Sequence, residues 1–245
     1  ISFSQDTAGP MTANVHDAWL MTAIMAGVDE EDNATKDAQS YIPKLPSASM
    51  LATDLKGKRI GVVRYRQGDN PHVLAVYEKA LAQLKASGAT LVDISDFSQP
   101  DSFWADSYNV LLSEFHHSIN DYLAGSPAEL PARNLDELIA FNKKTERELS
   151  LFDQDIFEKS LASATVESDE YKKALNLIKD TAGKNGIDAL MAKHNVEVLV
   201  APSNSPSFLI DGVYGDHSPV GFIGIGYLAV IAGYRHLTVP AGQGK

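Results

Sequence analysis

The feature that most constrains this sequence is a strand–helix–strand pattern in residues 58–94. Lys58–Tyr65 is a β-branched run, Pro71–Ser87 carries apolar residues on one helical face, and Thr90–Ile94 is a second β-branched run. Short connections between a strand, a helix and a strand predict a βαβ crossover, with parallel strands in one sheet and a helix packed on it. The pattern therefore predicts an α/β fold.

Residues 101–195 are dominated by helical patterns, and a third strand, Glu197–Ala201, follows them. We interpret 1–245 as a single α/β unit, part of a larger domain, with a mixed sheet, flanking helices and a helical insertion over about 101–195. The last helix is expected to break near Gly183 or Gly186. The predicted helices in this region are Ser102–Ala124, Leu135–Leu149, Asp153–Ala164 and Ser168–His194.

Two more elements are predicted near the ends of the chain. Residues 11–27 have apolar groups close to the spacing of one helical face, with Thr12 or Asn14 able to cap the helix and Gly27 able to end it. His236–Gly242 has the pattern of a strand that enters a turn.

Composition excludes several classes of protein. The net charge of −11 would repel phosphate backbones, so no nucleic-acid partner is expected. The sequence has no cysteine, which excludes disulfides, a thiolate nucleophile and a zinc site that uses sulfur. The longest apolar run, Gly221–Gly233, contains glycines and is shorter than the roughly 20 residues of a membrane span, so no span is predicted. The oligomeric state stays open.

No catalytic residue, metal site or cofactor is predicted from the residues alone. The chain has no Gly-x-Ser-x-Gly motif, and its seven histidines lie in no recognisable triad context. His117 and Asp121 share a helical face, but a structural or exposed role is favoured over metal binding. The glycines at 221, 224 and 226 favour close packing of backbone against a neighbouring loop over a phosphate cradle.

Several strings, in the same order along the chain, resemble segments of amidase-signature enzymes. Two of them, in residues 138–142 and 152–157, resemble a subgroup that includes peptide amidases. The chain departs from the family pattern at Arg235, where proline is common, and after Gly242, where a further strand is expected. The strings are Ser4–Met11, Gly27–Asp32, Lys56–Val62, Leu138–Asn142, Phe152–Phe157 and Ala232–Gly242.

The resemblance implies an amide hydrolase. In the family, one serine attacks the amide carbonyl, a second serine in a cis peptide bond relays its proton to a lysine, and backbone N–H groups hold the oxyanion. The lysine and both serines precede the segment that Ser4–Met11 resembles. We therefore expect the chain to be the C-terminal part of an amidase, truncated at both ends and inactive alone, whose parent converts a small-molecule amide to an acid plus ammonia or amine.

The resemblance and the strand pattern together suggest six substrate-site residues. Asp6 and Thr7 would lie beside the serines, although a loop hydrogen bond that fixes the next helix is an equal alternative. Ser203 and Asn204 follow the third strand, at the sheet edge where ligands of α/β folds bind. The six predicted residues are Asp6, Thr7, Ser203, Asn204, Phe222 and Tyr227.

Two other functions fit the same patterns. Residues 58–95 alone resemble part of a ligand-binding domain of the solute-binding type, but such a domain has no reason to carry the Ala232–Gly242 string. An amidase-like scaffold that lacks the serines is the other alternative. The compartment is open between cytoplasmic and exported, because a signal peptide would lie upstream of these residues.

Overall fold

The computed structural model describes residues 2–41, 54–217 and 223–242. A π-helical segment spans Gly183–Asp188, and Asn33–Thr35 forms a 3-10 turn. The strands are β1 (Arg59–Val63), β2 (Thr90–Ile94) and β3 (Val198–Val200). The α-helices in the described ranges are α1 (Val15–Met25), α2 (Ala38–Tyr41), α3 (Pro71–Ala86), α4 (Phe103–Gly125), α5 (Leu135–Lys144), α6 (Glu146–Leu149), α7 (Asp155–Leu161), α8 (Asp169–Ala182), α9 (Ala189–His194) and α10 (Gly226–Ala232).

The described residues form two compact units. Most of the region predicted as a helical insertion lies in the first, which we call the helical unit. The division of the chain as one α/β unit with an insertion stays a prediction. The helical unit comprises the residues up to Asp6, Phe97–Leu190 and Tyr227–Arg235. The second, which we call the sheet unit, comprises Thr7–Asp96, Met191–Gly226 and the residues from His236 onward.

The sheet unit contains a parallel sheet with the strand order β2-β1-β3. β1 pairs with β2 from Arg59 opposite Thr90 to Val63 opposite Ile94, and it also pairs in parallel with β3. The predicted βαβ unit and the α/β fold class are therefore confirmed. All three described strands are parallel.

α3 connects β1 to β2 and packs on the sheet. Asn70 caps it by accepting hydrogen bonds from the amides of the first turn, and Pro71 occupies a position where no amide donor is needed. Tyr77 and Leu81 bury their side chains in one cluster with Val62 of β1, and each such burial contributes about 1.5–3 kcal/mol. The Tyr77 hydroxyl donates to the Val200 carbonyl oxygen at 2.9 Å, so α3 also holds β3.

The helical unit is built around α4, which packs against α8, α7 and α5. Four of the six buried side chains of α4 recur every three or four residues, the spacing of one helical face, and α8 buries a face of similar spacing. The predicted break near Gly183 or Gly186 is confirmed as the π-helical segment. The buried stripe of α4 is Phe103, Ser107, Val110 and Glu114.

The ends of the chain differ in part from the predictions. The N-terminal helix is present as Val15–Met25, and Asn14 is its capping residue. The predicted strand at His236–Gly242 is wrong, since these exposed residues have no ladder partner among the described strands. α10 was not predicted, because an apolar run that contains glycine shows no helical period. In the described ranges, every helix is too short or too polar to cross a membrane.

Candidate functional site

The carboxyl ends of β1 and β3 lie side by side in the sheet unit, because these strands are adjacent and parallel. Ligands of open α/β folds bind at this edge of the sheet. The residues that gather there come from four stretches of chain, and we call them the strand-end cluster. Its members are Arg66, Pro202, Ser203, Gly224, Gly226, His236 and Thr238.

Gly224 lies against the loop that follows β3. A Cβ atom at this position would lie 2.6 Å from the Pro202 carbonyl oxygen and 2.9 Å from that of Ser203. The backbone φ of +95° also favours glycine. Glycine is therefore required here by both space and conformation. Close packing of backbone against a neighbouring loop, which the sequence favoured over a phosphate cradle, is confirmed for Gly224.

Arg66, which follows β1, contacts Gly224 through its backbone. Its carbonyl oxygen accepts a hydrogen bond from the Gly224 amide at 2.8 Å. Arg66 has a φ of 57°, a left-handed conformation that is uncommon outside glycine and costs on the order of 1 kcal/mol or more. Strained residues of this kind persist where the surrounding structure fixes them, and they concentrate at functional sites.

The Ala232–Gly242 string contributes two side chains to the cluster. The hydroxyl groups of Ser203 and Thr238 are hydrogen-bonded at 3.2 Å, and either can be the donor. The ring of His236 lies beside Gly226, where a Cβ atom would be 3.0 Å from the imidazole Cε1. These exposed hydroxyl and imidazole groups can donate to an amide carbonyl oxygen or accept from an amide N–H. Thr238 and His236 were not predicted individually, although the string that contains them was.

Asn204 is exposed, and its side-chain oxygen accepts a hydrogen bond from the Ser205 amide at 2.8 Å. This local turn fixes the loop immediately after Ser203. Thr7, also in the sheet unit, is exposed. Phe222 lies outside the described residues.

Asp6 and Tyr227 lie in the helical unit. The Asp6 carboxylate accepts a hydrogen bond from the Ser2 amide at 2.8 Å. Tyr227 donates its hydroxyl to Gln99 at 2.8 Å, and its ring packs on Phe103 and Trp104 with centroids 5.9 and 4.8 Å apart. Of the predicted site residues that the structure describes, two therefore lie in the helical unit and three in the sheet unit, where Ser203 and Asn204 follow the end of β3.

His117 and Asp121 do share a face of α4, with Nε2 and Oδ2 3.3 Å apart. Across the described ranges, no group of three or more His, Asp or Glu side chains is arranged to hold a metal ion.

The chain matches the family model described as Amidase over residues 1–244. It belongs to the amidase family. The amidase fold is also found in a solved structural neighbour, the native peptide amidase of Stenotrophomonas maltophilia. That enzyme has a TM-score of 0.80 and 32% identity, over 99% of this chain and 48% of that chain. An amidase family protein from Bacillus anthracis has a TM-score of 0.72 and 26% identity, over 98% of this chain and 43% of that chain.

Curated relatives of this amidase-family chain include a probable amidase and an amidotransferase subunit. A probable amidase of Arabidopsis thaliana is 27% identical over 91% of the chain and 43% of its own length. One of the subunits of the glutamyl-tRNA(Gln) amidotransferase from Ruegeria is 44% identical, but over only 38% of the chain and 18% of its own length. The chain thus spans less than half the length of these relatives.

Proposed function

We propose that the protein hydrolyses a carboxylic amide to a carboxylic acid and ammonia or an amine, and that the present residues supply part of its substrate site. The observation that carries this proposal is the match to the Amidase family model over residues 1–244. A match of this extent includes both compact units and every predicted site residue.

Peptide amides are the favoured substrate class. The likeness to the peptide amidase of Stenotrophomonas maltophilia covers 99% of the chain. The likeness to the tRNA amidotransferase covers only 38% of it, so it gives less support for a tRNA-linked substrate. Two of the strings that carry the family resemblance, in residues 138–142 and 152–157, also resemble the subgroup that includes peptide amidases.

The reaction proposed for the complete protein uses a serine, a second serine and a lysine outside the present residues. The lysine takes the proton of the nucleophile through the second serine, the serine oxygen adds to the amide carbon, and the amine leaves with a proton. Water then hydrolyses the acyl-enzyme. A hydroxyl needs such a base at neutral pH, and a desolvated lysine can be neutral enough to serve.

The strand-end cluster is proposed to bind the substrate beside this machinery. Its Ser203 and Thr238 hydroxyls form one exposed pair, and the strained Arg66 and the tightly packed Gly224 fix the backbone that carries it. Rigid backbone around a polar pair reduces the entropy lost when a substrate is held. The cluster would therefore contribute chiefly to substrate affinity.

Ammonia release from dipeptide amides tests the proposed activity, with the complete protein and the present chain assayed side by side. We expect turnover by the complete protein and none by the present chain. Turnover by the present chain would contradict the assignment of the catalytic groups. A complete protein that turns over no amide would support the non-catalytic scaffold, and one that binds a small ligand without turnover would support the solute-binding alternative.

Ser203→Ala and Thr238→Val in the complete protein test the binding role. We expect each to raise KM about tenfold, the equivalent of about 1.4 kcal/mol, with kcat changed less than threefold. Ser207→Ala is the matched control, since Ser207 is an exposed serine in the same loop. Equal effects at Ser203 and Ser207, or an effect on kcat alone, would refute this role for the cluster.

A further inference from the structure

Glu114 is a glutamate on the buried face of α4, and its side chain has 0% exposure. A buried carboxyl group is unfavourable unless hydrogen bonds replace the water it has lost. Three groups provide these bonds. The Ser2 hydroxyl donates to Oε2 at 2.5 Å, the Ser4 amide donates to the same oxygen at 3.2 Å, and the Tyr171 hydroxyl donates to Oε1 at 2.6 Å.

Two of these three donors come from a segment more than 100 residues away in sequence. Ser2 is itself fully buried, so its hydroxyl and the carboxyl group satisfy each other out of contact with water. Burial raises the pKa of the Tyr171 hydroxyl, and its hydrogen bond to Glu114 acts in the same direction. Tyr171 therefore stays a protonated donor at neutral pH, and the carboxyl group keeps its three partners.

The segment held by Glu114 is a closed turn, which we call the Ser2–Asp6 turn. The Ser2 carbonyl oxygen accepts from the Asp6 amide at 2.8 Å, and the Asp6 carboxylate accepts from the Ser2 amide at 2.8 Å. Phe3 adds an edge-on contact to the ring of His117, one turn further along α4, with centroids 5.9 Å apart. The same face of α4 thus holds the turn by a buried polar contact and an aromatic one.

The Ser2–Asp6 turn also carries polar atoms that are buried without a partner. The Ser4 hydroxyl and the Gln5 side-chain nitrogen make no hydrogen bond within the described ranges. Buried polar atoms in native proteins nearly always have a partner, so these two atoms call for one outside the described residues. The turn is therefore fixed on its α4 side and has unused hydrogen-bonding capacity.

We propose that Glu114 is a positioning residue for amide hydrolysis, because its buried carboxyl group fixes the Ser2–Asp6 turn and thereby the orientation of Gln5 and Asp6. The inference rests on the proposed function, together with the expectation from the family resemblance that Asp6 lies beside the catalytic serines. A residue needed only for stability could be apolar at this site, since well-packed apolar groups often replace buried polar clusters without loss. A carboxyl group gives the turn a defined register that an apolar contact does not.

Two variants of the complete protein remove the contact from opposite sides. Glu114→Ala removes the acceptor, and Ser2→Ala removes one donor while leaving α4 intact. We expect kcat to fall at least tenfold in Glu114→Ala and about threefold to tenfold in Ser2→Ala, with KM within threefold of the wild type in both. Glu114→Gln retains an acceptor oxygen, so its kcat should lie between those of the wild type and Glu114→Ala.

Val110→Ala is the matched control, because Val110 is fully buried one turn earlier on α4. It lowers stability without removing a hydrogen bond of the turn. The second measurement is amide hydrogen exchange at Ser4 and Asp6, which should accelerate at least tenfold in Glu114→Ala and stay within threefold of the wild type in Val110→Ala.

Unchanged exchange in both Glu114→Ala and Ser2→Ala, or an equal loss of kcat in Val110→Ala, would overturn the inference. A wild-type protein that hydrolyses no amide would instead overturn the proposed function and, with it, the catalytic part of this inference. In that event the exchange rates still decide whether Glu114 fixes the turn.

Discussion

α1 and α8 are similar helices in opposite surroundings. Each is capped by a side-chain oxygen, Asn14 for α1 and Ser168 for α8. α1 is apolar along most of its length yet has no fully buried residue, whereas α8 is rich in charged residues and buries one continuous face. Apolar content therefore does not decide burial, because a helix buries only the face that meets a partner. The buried residues of α8 are Tyr171, Ala174, Ile178, Thr181 and Ala182.

The largest expected effect compares one substitution in both helices. Ile178 has 0% exposure and Ile24 has 74%. Ile178→Ala should cost about 2–5 kcal/mol of unfolding free energy, because it removes buried methyl groups and leaves a cavity. Ile24→Ala should change it by less than about 0.5 kcal/mol. Urea unfolding of the present chain measures both. A comparable loss of unfolding free energy in Ile24→Ala would contradict the difference in burial between α1 and α8.

A smaller effect is expected at the two caps. The Ser168 hydroxyl accepts from the Tyr171 amide at 3.1 Å, and Ser168→Ala should cost about 1 kcal/mol in global unfolding because α8 belongs to the packed core. The Asn14 side chain accepts from the Asp17 amide at 2.9 Å. Asn14→Ala should leave global unfolding nearly unchanged and speed amide exchange within α1 alone. If Asn14→Ala also lowers the global midpoint, α1 unfolds together with the core.

The smallest effect is expected at an exposed charge contact. Asp96 accepts a hydrogen bond from Lys193, which lowers the pKa of its carboxyl group to about 2, and His194 contacts it at 3.1 Å. The folded pKa lies below the ordinary value of 3.8, so this contact stabilises the fold above about pH 4 and is lost as pH falls through about 2.

NMR titration of Asp96 in wild type and Lys193→Ala tests this contact. The pKa should return toward 3.8 in the variant, while the unfolding midpoint at pH 7 changes little because both side chains are exposed. Lys184→Ala, an exposed lysine elsewhere, should leave the titration unchanged. A large loss of unfolding free energy in Lys193→Ala would show that this exposed contact stabilises the fold as much as a buried side chain does.

The βαβ unit was predictable because its signals are local. Asn70 and Pro71 mark the start of α3, and the apolar spacing that follows matches its buried face at Tyr77 and Leu81. The strand prediction for His236–Gly242 was wrong because strand formation also depends on contacts that are distant in sequence. Its residue types favour a strand, but a strand forms only where a ladder partner exists, and that depends on distant parts of the chain.

The sequence likewise indicated some residues of the candidate site and missed others. Ser203 follows directly from the rule that ligands bind at strand ends, whereas its contact with Thr238 depends on how residues 35 apart meet. Glu114 was missed, although a signal exists. Phe103, Ser107, Val110 and Glu114 recur at helical spacing, so a glutamate occupies the buried stripe of α4. An ionisable residue inside such a stripe indicates a buried polar contact.

The Ser2–Glu114 contact also sets an order of events during synthesis. Its partners are 112 residues apart, and ribosomes add about 5–20 residues per second, so Ser2 waits roughly 5–20 s before Glu114 exists. Until then the hydrogen bonds within the turn lack the support of Glu114, and short isolated turns are marginal in water. Its final conformation is therefore acquired only after α4 has formed, and a ribosome that stalls before residue 114 leaves the turn undocked.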